Sequence, residues 1–117
     1  MIKLYSWSTP NGRKISILLE ELGVNYTVYP VNLDRGEQFK KDYYKISPTN
    51  KIPAIIDTEN NQAIFETGAI LLYLVEKYKK FINKKKKWET HSWLMYQMSE
   101  IGPILGQAHQ FLYYHPG

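Results

Sequence analysis

The chain has 117 residues, of which 44% are hydrophobic and 22% are charged, and its formal net charge at pH 7 is +4. This composition is typical of a globular domain and excludes disordered and collagen-like proteins. The sequence contains no cysteine, which excludes a disulfide framework, a cysteine redox motif and a thiolate metal site. Any thiol chemistry must therefore use a sulfur atom supplied by a ligand.

The first half of the chain alternates between strand and helix patterns. Residues 13–22 predict a helix, because their apolar side chains recur with i, i+3, i+4, i+7 spacing and Gly23 suits a C-terminal end. The expected elements up to residue 45 are a strand at 2–5, this helix, a strand at 24–31 and a short helical segment at 39–45.

The middle of the chain predicts a hairpin and a further helix. A strand at 51–57 is interrupted only by Pro53, and a polar turn leads to a second strand at 63–65. A helix should follow at 67–78, with Thr67 as its N-cap. The order βαβαββα gives a mixed sheet in an α/β domain with the thioredoxin-like layout.

The last third predicts mostly helix, from Trp88 to Tyr114, although Gly102, Pro103 and Gly106 should bend or break it. A lone helix cannot bury its own apolar side chains. We therefore expect a complete domain at 1–81, followed at 82–117 by a linker and the first helix of a truncated all-α domain.

Location and large partners can be judged from the distribution of apolar and basic residues. No run reaches the roughly 18 to 20 apolar residues of a membrane helix, and Met1 leads into a strand pattern rather than a signal sequence, so we expect a cytoplasmic protein without a membrane partner. Much of the positive charge lies in one lysine-rich stretch, residues 77–87. Such a run is usually a solvated face or linker, with a phosphate-binding patch as the alternative, so no nucleic-acid partner is expected.

Pro53 is unusual because proline removes a hydrogen-bond donor from a strand. It is either an ordinary edge proline or part of a cis Ile52–Pro53 peptide. In the second case the backbone of Ile52 would face outward and could pair with an extended peptide as if with another strand.

Two predicted helix starts offer polar groups to a ligand. Glu66 and Thr67 could hold an ammonium and a carboxylate at the start of the third helix, or they could be a plain cap. In the loop at 6–11, Ser8, Thr9 and Asn11 could donate hydrogen bonds to a thiolate beside the first helix, or they could simply be turn residues.

Taken together, these motifs resemble those of the glutathione transferases. The matching segments are Ser8-Thr9-Pro10-Asn11-Gly12, Ile46-Ser47-Pro48-Thr49-Asn50-Lys51-Ile52-Pro53-Ala54 and Phe65-Glu66-Thr67-Gly68-Ala69-Ile70-Leu71 with Tyr73 and Leu74. The segment Gly102-Pro103-Ile104-Leu105-Gly106-Gln107-Ala108-His109 resembles more narrowly the bacterial nu class, which is also similar to a fungal prion-forming nitrogen regulator.

The resemblance implies a role for each matching position. Ile52, beside Pro53, would pair with the cysteinyl part of glutathione, and Glu66 and Thr67 would bind its γ-glutamyl end. The remaining implied positions are Gln38 and Lys51 near the glycyl carboxylate, Thr9 and Asn11 as catalytic residues near the sulfur, and His109, Phe111 and Tyr113 lining a co-substrate cavity unless they only pack.

The resemblance also implies an activity and an assembly. Members of this type act as glutathione-dependent disulfide reductases, bind two glutathione molecules or glutathione disulfide without a metal, and form homodimers. The alternative is a non-catalytic regulatory protein that retains the glutathione pocket. A further possibility is that the chain is a fragment whose fold is unfinished.

Overall fold

The computed structural model describes residues 1–114 and divides the chain into two compact units, one spanning Met1–Lys80 and the other beginning at Phe81. The last three residues of the predicted segment 82–117 lie outside the described part. No helix within residues 1–114 is both long enough and apolar enough to cross a membrane.

The first unit has the predicted order βαβαββα, which confirms the thioredoxin-like fold. Its elements are β1 (Ile2–Ser6), α1 (Pro10–Leu22), β2 (Tyr26–Pro30), 3₁₀ turns at Leu33–Arg35 and Glu37–Phe39, α2 (Lys41–Tyr44), β3 (Ala54–Asp57), β4 (Gln62–Phe65) and α3 (Thr67–Tyr78).

The four strands form one mixed sheet in the order β2-β1-β3-β4. β1 and β2 run parallel and are joined through α1, whereas β3 is antiparallel to both β1 and β4. On one face the sheet packs against α1 and α3. This main core consists of Ile2, Leu4, Ile15, Leu19, Leu22, Ile55, Ile70 and Leu74. On the other face Tyr43 of α2 packs with Val31 and Ala54 in a smaller cluster.

Two boundaries and one helix cap differ from the predicted ones, and the two boundaries shift for identifiable reasons. α1 begins at Pro10, three residues earlier than expected, because Thr9 caps it and the fixed φ of proline suits the first helical position. β3 begins only at Ala54, since Pro53 cannot donate to the strand ladder. The prediction of Thr67 as N-cap is wrong: Glu66 is the N-cap and Thr67 is the first helical residue.

A buried ionic network joins the end of β3 to α3. Asp57 is fully buried and accepts hydrogen bonds from the Tyr73 hydroxyl, the Lys77 ammonium and the Glu59 N–H. Lys77 also contacts Glu59 Oε2 at 2.7 Å. Burial alone would raise the pKa of Asp57, but these donors outweigh it and hold the pKa below its ordinary value.

The second unit is helical from Lys84 to Tyr114. It contains a 3₁₀ turn at Lys84–Lys86, α4 (Lys87–Tyr96), a π-helical stretch at Gln97–Ile101, α5 (Gly102–His109) and a further π-helical stretch at Gln110–Tyr114.

The predicted interruptions of this helical segment are only partly present. The π-helical stretch just before Pro103 accommodates the missing N–H and the ring of this proline. The helix therefore becomes locally wider and continues into α5 instead of ending. The helix is not broken at Gly106. Gly106 lies inside α5, where a single glycine lowers helix stability without ending the helix.

Candidate functional site

The sheet register brings the three candidate motifs to one end of the sheet. Tyr5 of β1 lies opposite Ala54 of β3, and Ala54 lies opposite Phe65 of β4. The loop that leaves β1, the proline that precedes β3 and the helix start that follows β4 therefore share one edge. On the other side of β1, Ser6 pairs with Pro30 at the end of β2. The segment that leads from β2 to Gln38 therefore leaves from the same edge.

The start of α1 holds Thr9 and Asn11 in different ways. Thr9 caps the helix, because its Oγ1 accepts the Gly12 N–H at 3.1 Å, while its own hydroxyl proton can still be donated. Asn11 is exposed, and its Oδ1 accepts a 3.0 Å hydrogen bond from the Lys14 ammonium. This bond uses the acceptor of the amide, so its NH₂ group is the part that can serve a ligand.

Gly12 brings the first turn of α1 against the end of β1. A Cβ atom on Gly12 would lie 2.2 Å from Ser6 Oγ and 2.7 Å from the Trp7 carbonyl oxygen. No larger side chain fits at this position unless the backbone moves. Glycine therefore sets how closely the helix start and the Thr9 cap approach the sheet.

The segment before β3 presents an open backbone. The Ile52–Pro53 peptide is cis, the second of the two alternatives considered for this proline. Among residues 1–114, no hydrogen bond from backbone or side chain satisfies the Ile52 N–H or C=O. The preceding carbonyl, that of Lys51, accepts two hydrogen bonds, from the hydroxyls of Tyr43 and Ser47, each at 2.8 Å.

Tyr43 and Ser47 are residues of this site that the sequence analysis missed. Ser47 was quoted only as part of a motif, and Tyr43 only as part of a short helical segment. Ser47 lies four residues and Tyr43 eight residues before Lys51, and the spacing alone does not indicate that both hydroxyls meet one carbonyl. The helical pattern that predicted α2 is the one signal that placed Tyr43 on a structured element.

The start of α3 has an unusual backbone. Glu66 has φ 74° and ψ 124°, and its exposed side chain makes no capping hydrogen bond within the described residues. A non-glycine residue in this region costs roughly 1–3 kcal/mol and is often found where function requires it. Thr67, the first residue of α3, is only 8% exposed.

Gln38 and Lys51 occupy the loops beside this edge. Gln38 lies in the 3₁₀ turn Glu37–Phe39, and its buried Oε1 has no hydrogen-bond partner within residues 1–114. Lys51 is exposed and directly precedes Ile52. An amide and an ammonium here can donate hydrogen bonds to a carboxylate.

His109, Phe111 and Tyr113 belong to the second unit, and all three are exposed. The rings of His109 and Tyr113 lie 4.8 Å apart, as expected for side chains one helical turn apart. Phe111, two residues from each, is on a different part of the helix surface. Their assignment to a co-substrate cavity stays a prediction.

A cleft of about 310 Å³ lies on the α1 side of the sheet, lined among others by Ser6, Trp7 and Arg13. Of the candidate residues it contains Ser8, but none of the positions to which the resemblance assigns a role, so the shared sheet edge is the better candidate site. Within residues 1–114, no group of three or more His, Asp or Glu side chains is placed to hold a metal ion.

Comparisons with known proteins indicate the family of this chain. Residues 1–76 match the family described as Glutathione S-transferase, N-terminal domain. The chain is 44% identical to the disulfide-bond oxidoreductase YfcG of Escherichia coli, over 95% of this chain and 55% of that protein. It is 38% identical to the protein URE2 of Candida albicans, over 92% of this chain and 34% of that protein.

A solved structure of a glutathione transferase family member from Pseudomonas fluorescens, with two glutathione molecules bound, superposes with a TM-score of 0.90. It is 44% identical and covers 94% of this chain, which in turn covers 51% of it. The chain therefore belongs to the glutathione S-transferase family. It spans between about a third and about half of the length of the relatives that it matches.

Proposed function

We propose that this chain binds glutathione at the shared sheet edge and is part of a nu-class enzyme that reduces disulfides through the glutathione thiolate. The observation that carries the proposal is the register Tyr5–Ala54–Phe65, which puts the Ile52 backbone between the starts of α1 and α3.

The extended tripeptide fits this edge in one direction. The Ile52 N–H and C=O pair with the cysteinyl residue, as an added strand would. Glu66 accepts hydrogen bonds from the γ-glutamyl ammonium, while the N–H groups at the start of α3 and the Thr67 hydroxyl bind the γ-glutamyl carboxylate. At the other end, Gln38 and Lys51 bind the glycyl carboxylate.

This direction places the sulfur at the start of α1. The Thr9 hydroxyl and the Asn11 NH₂ group donate hydrogen bonds to it, and the positive end of the helix dipole favours its charged form. A lowered thiol pKa increases the thiolate fraction at neutral pH. Because the chain itself has no cysteine, the reactive sulfur belongs to the ligand.

The proposed reaction consumes two glutathione molecules. The bound thiolate attacks one sulfur of the substrate disulfide, forms a mixed disulfide and releases the other substrate sulfur as a thiolate. A second glutathione thiolate then attacks the glutathione sulfur of the mixed disulfide, which gives glutathione disulfide and the second substrate thiol. The name of the relative YfcG and the two glutathione molecules in the Pseudomonas fluorescens structure support this reaction.

Three further features belong to the same proposal. His109, Phe111 and Tyr113 contribute to the cavity for the second substrate, and the active protein is a cytoplasmic homodimer. Residues 1–81 form the glutathione-binding domain, and residues 82–117 comprise a linker and the first helix of a helical domain.

The alternative is a non-catalytic glutathione-binding protein with a regulatory role. This alternative rests on the resemblance of the segment 102–109 to that of a fungal nitrogen regulator.

Calorimetric titration with glutathione, followed by turnover of hydroxyethyl disulfide, separates these functions. We expect binding and turnover, with binding reduced at least tenfold in Glu66→Gln and unchanged in Glu21→Gln, which alters an exposed carboxylate of α1. Binding without turnover would favour the regulatory role. No binding by the wild-type chain would contradict both functions.

A further inference from the structure

Two buried hydroxyls meet at a single backbone carbonyl in the first unit. Tyr43 is 6% exposed and Ser47 is 1% exposed, and both donate to the Lys51 oxygen at 2.8 Å. A buried carbonyl has two lone pairs, and one hydrogen bond is enough to avoid most of the cost of its burial. A second buried donor therefore suggests that the direction of this carbonyl matters.

The elements that carry the two hydroxyls are themselves fixed. The Ser47 N–H donates to the Tyr43 carbonyl at 2.9 Å, which closes the turn that follows α2. The Tyr43 ring packs 6.2 Å from the ring of Tyr5 in β1, and Tyr43 belongs with Ala54 to the smaller core cluster against which Ile52 packs. The two hydroxyls thus hold Lys51 from a part of the chain that is anchored to the sheet.

The Lys51 carbonyl and the Ile52 N–H belong to the same peptide group. A trans peptide group is planar, so its C=O and N–H point in opposite directions and cannot rotate independently. Fixing the direction of the Lys51 carbonyl therefore also fixes the direction of the Ile52 N–H. That N–H has no partner within residues 1–114.

We propose that Tyr43 and Ser47 are positioning residues for glutathione: their hydroxyls orient the Lys51–Ile52 peptide so that the Ile52 N–H faces the ligand. The inference rests on the proposed function, since it assigns a role toward the same bound tripeptide. Neither hydroxyl contacts the ligand, and both act through one backbone group.

The single variants Tyr43→Phe and Ser47→Ala each remove one hydroxyl and leave the other in place. Each should weaken glutathione binding about fivefold, in line with the loss of one hydrogen bond that fixes geometry. The rate at saturating glutathione should change less than twofold, because the thiolate donors at α1 are untouched. Tyr44→Phe is the matched control, since Tyr44 is adjacent, 54% exposed and outside this hydrogen-bond network.

Amide hydrogen exchange at Ile52 distinguishes positioning from a purely structural role. In the wild-type chain and in Tyr44→Phe, saturating glutathione should slow exchange at this amide at least tenfold. In Tyr43→Phe and Ser47→Ala the protection should be smaller at equal saturation. Loss of stability with unchanged affinity and full protection would show that the hydroxyls serve folding only.

The failures of the two proposals differ. If the wild-type chain does not bind glutathione, the proposed function fails and the positioning role fails with it. If the wild-type chain binds and both single variants bind within twofold of it, the positioning role is wrong while the proposed function stands. Because Tyr43→Phe and Ser47→Ala are independent variants, the positioning role can still be tested if one of them does not fold.

Discussion

Gly12→Ala tests whether the close approach of α1 to β1 is required. The added methyl group would lie 2.2 Å from Ser6 Oγ and 2.7 Å from the Trp7 carbonyl oxygen. Ser6 is a buried side chain and can rotate only at the expense of its surroundings. The Trp7 oxygen belongs to the backbone, so the helix start or the strand end must shift.

The magnitude follows from two opposing terms. Overpacking by one methyl group typically costs about 1–3 kcal/mol, and a backbone contact belongs at the upper end of that range. Alanine gains about 1 kcal/mol over glycine from its helix propensity. We therefore expect the free energy of unfolding to fall by about 2 kcal/mol. This is a cost of roughly 3 kcal/mol from the clash, less about 1 kcal/mol from the helix propensity of alanine.

Urea unfolding followed by far-UV circular dichroism measures this loss. With a slope of roughly 2 kcal/mol per molar urea, the midpoint should fall by about 1 M. Gly106→Ala is the control, because no heavy atom of the described residues lies within 4 Å of its added methyl group beyond the helix itself. That variant should be as stable as the wild-type chain or slightly more stable.

A second variant identifies the source of the loss. Adding Ser6→Ala to Gly12→Ala removes the shorter contact and leaves the one to the Trp7 carbonyl, so stability should recover only in part. If the free energy of unfolding of Gly12→Ala is within about 0.5 kcal/mol of that of the wild-type chain, the helix start can shift at little cost. In that case glycine is not needed to set the position of the Thr9 cap.

Three further predictions concern groups with defined partners. Asp57→Asn should lower the free energy of unfolding by about 2 kcal/mol, less than the roughly 3–5 kcal/mol of a broken buried pair, because Lys77 keeps its ion pair with Glu59. The donors around Asp57 lower its pKa in the folded chain, so its contribution to stability is present above about pH 4 and is lost as the pH falls through that lowered pKa. The difference in stability between wild type and variant should therefore disappear on acidification. Burial raises the pKa of Tyr43 to about 12, so its contribution to stability is complete below about pH 10 and is lost as the pH rises towards 12. Unfolding followed by circular dichroism should therefore show that Tyr43→Phe loses less stability at alkaline pH than the wild-type chain. Lys14→Met should reduce the thiolate absorbance of bound glutathione about twofold at neutral pH, because it removes the cation that orients the Asn11 amide. Lys14→Arg keeps a cation and should leave the absorbance unchanged. Equal absorbance in the two variants would contradict the role of Lys14 in orienting Asn11.

The order of the elements was predictable because each has a clear period or a clear stop signal. The helical spacing of Ile15, Leu19 and Leu22 placed α1, and these side chains do form part of the main core. The boundaries were less predictable. Thr67 has the chemistry of an N-cap, yet the backbone of Glu66 takes the cap position, and side-chain preference alone does not reveal this.

The candidate site was predictable residue by residue only through family resemblance. Sequence spacing left an edge proline and a cis peptide as alternatives for Pro53, because they differ in backbone geometry and not in composition. The two hydroxyls on the Lys51 carbonyl were not predictable, since such a contact depends on how a four-residue helix folds back. The clash that excludes a side chain at Gly12 likewise arises from packing between two elements.

The directions of the strands explain why two helices contribute positive charge to one site. β1 leads into α1, and β3 runs antiparallel to β1, so β3 begins where β1 ends. β4 then runs antiparallel to β3 and ends at the same edge, where α3 starts. The N-termini of α1 and α3 are thus brought to one edge by the sheet alone. Neither helix, both lying wholly within the described residues, has an acidic residue in its first turn, although the N-cap of α3 is Glu66, whose exposed carboxylate stands at the same helix start. Such an edge favours a ligand with two separate negative groups, and under the proposed function these are the γ-glutamyl carboxylate at α3 and the thiolate at α1.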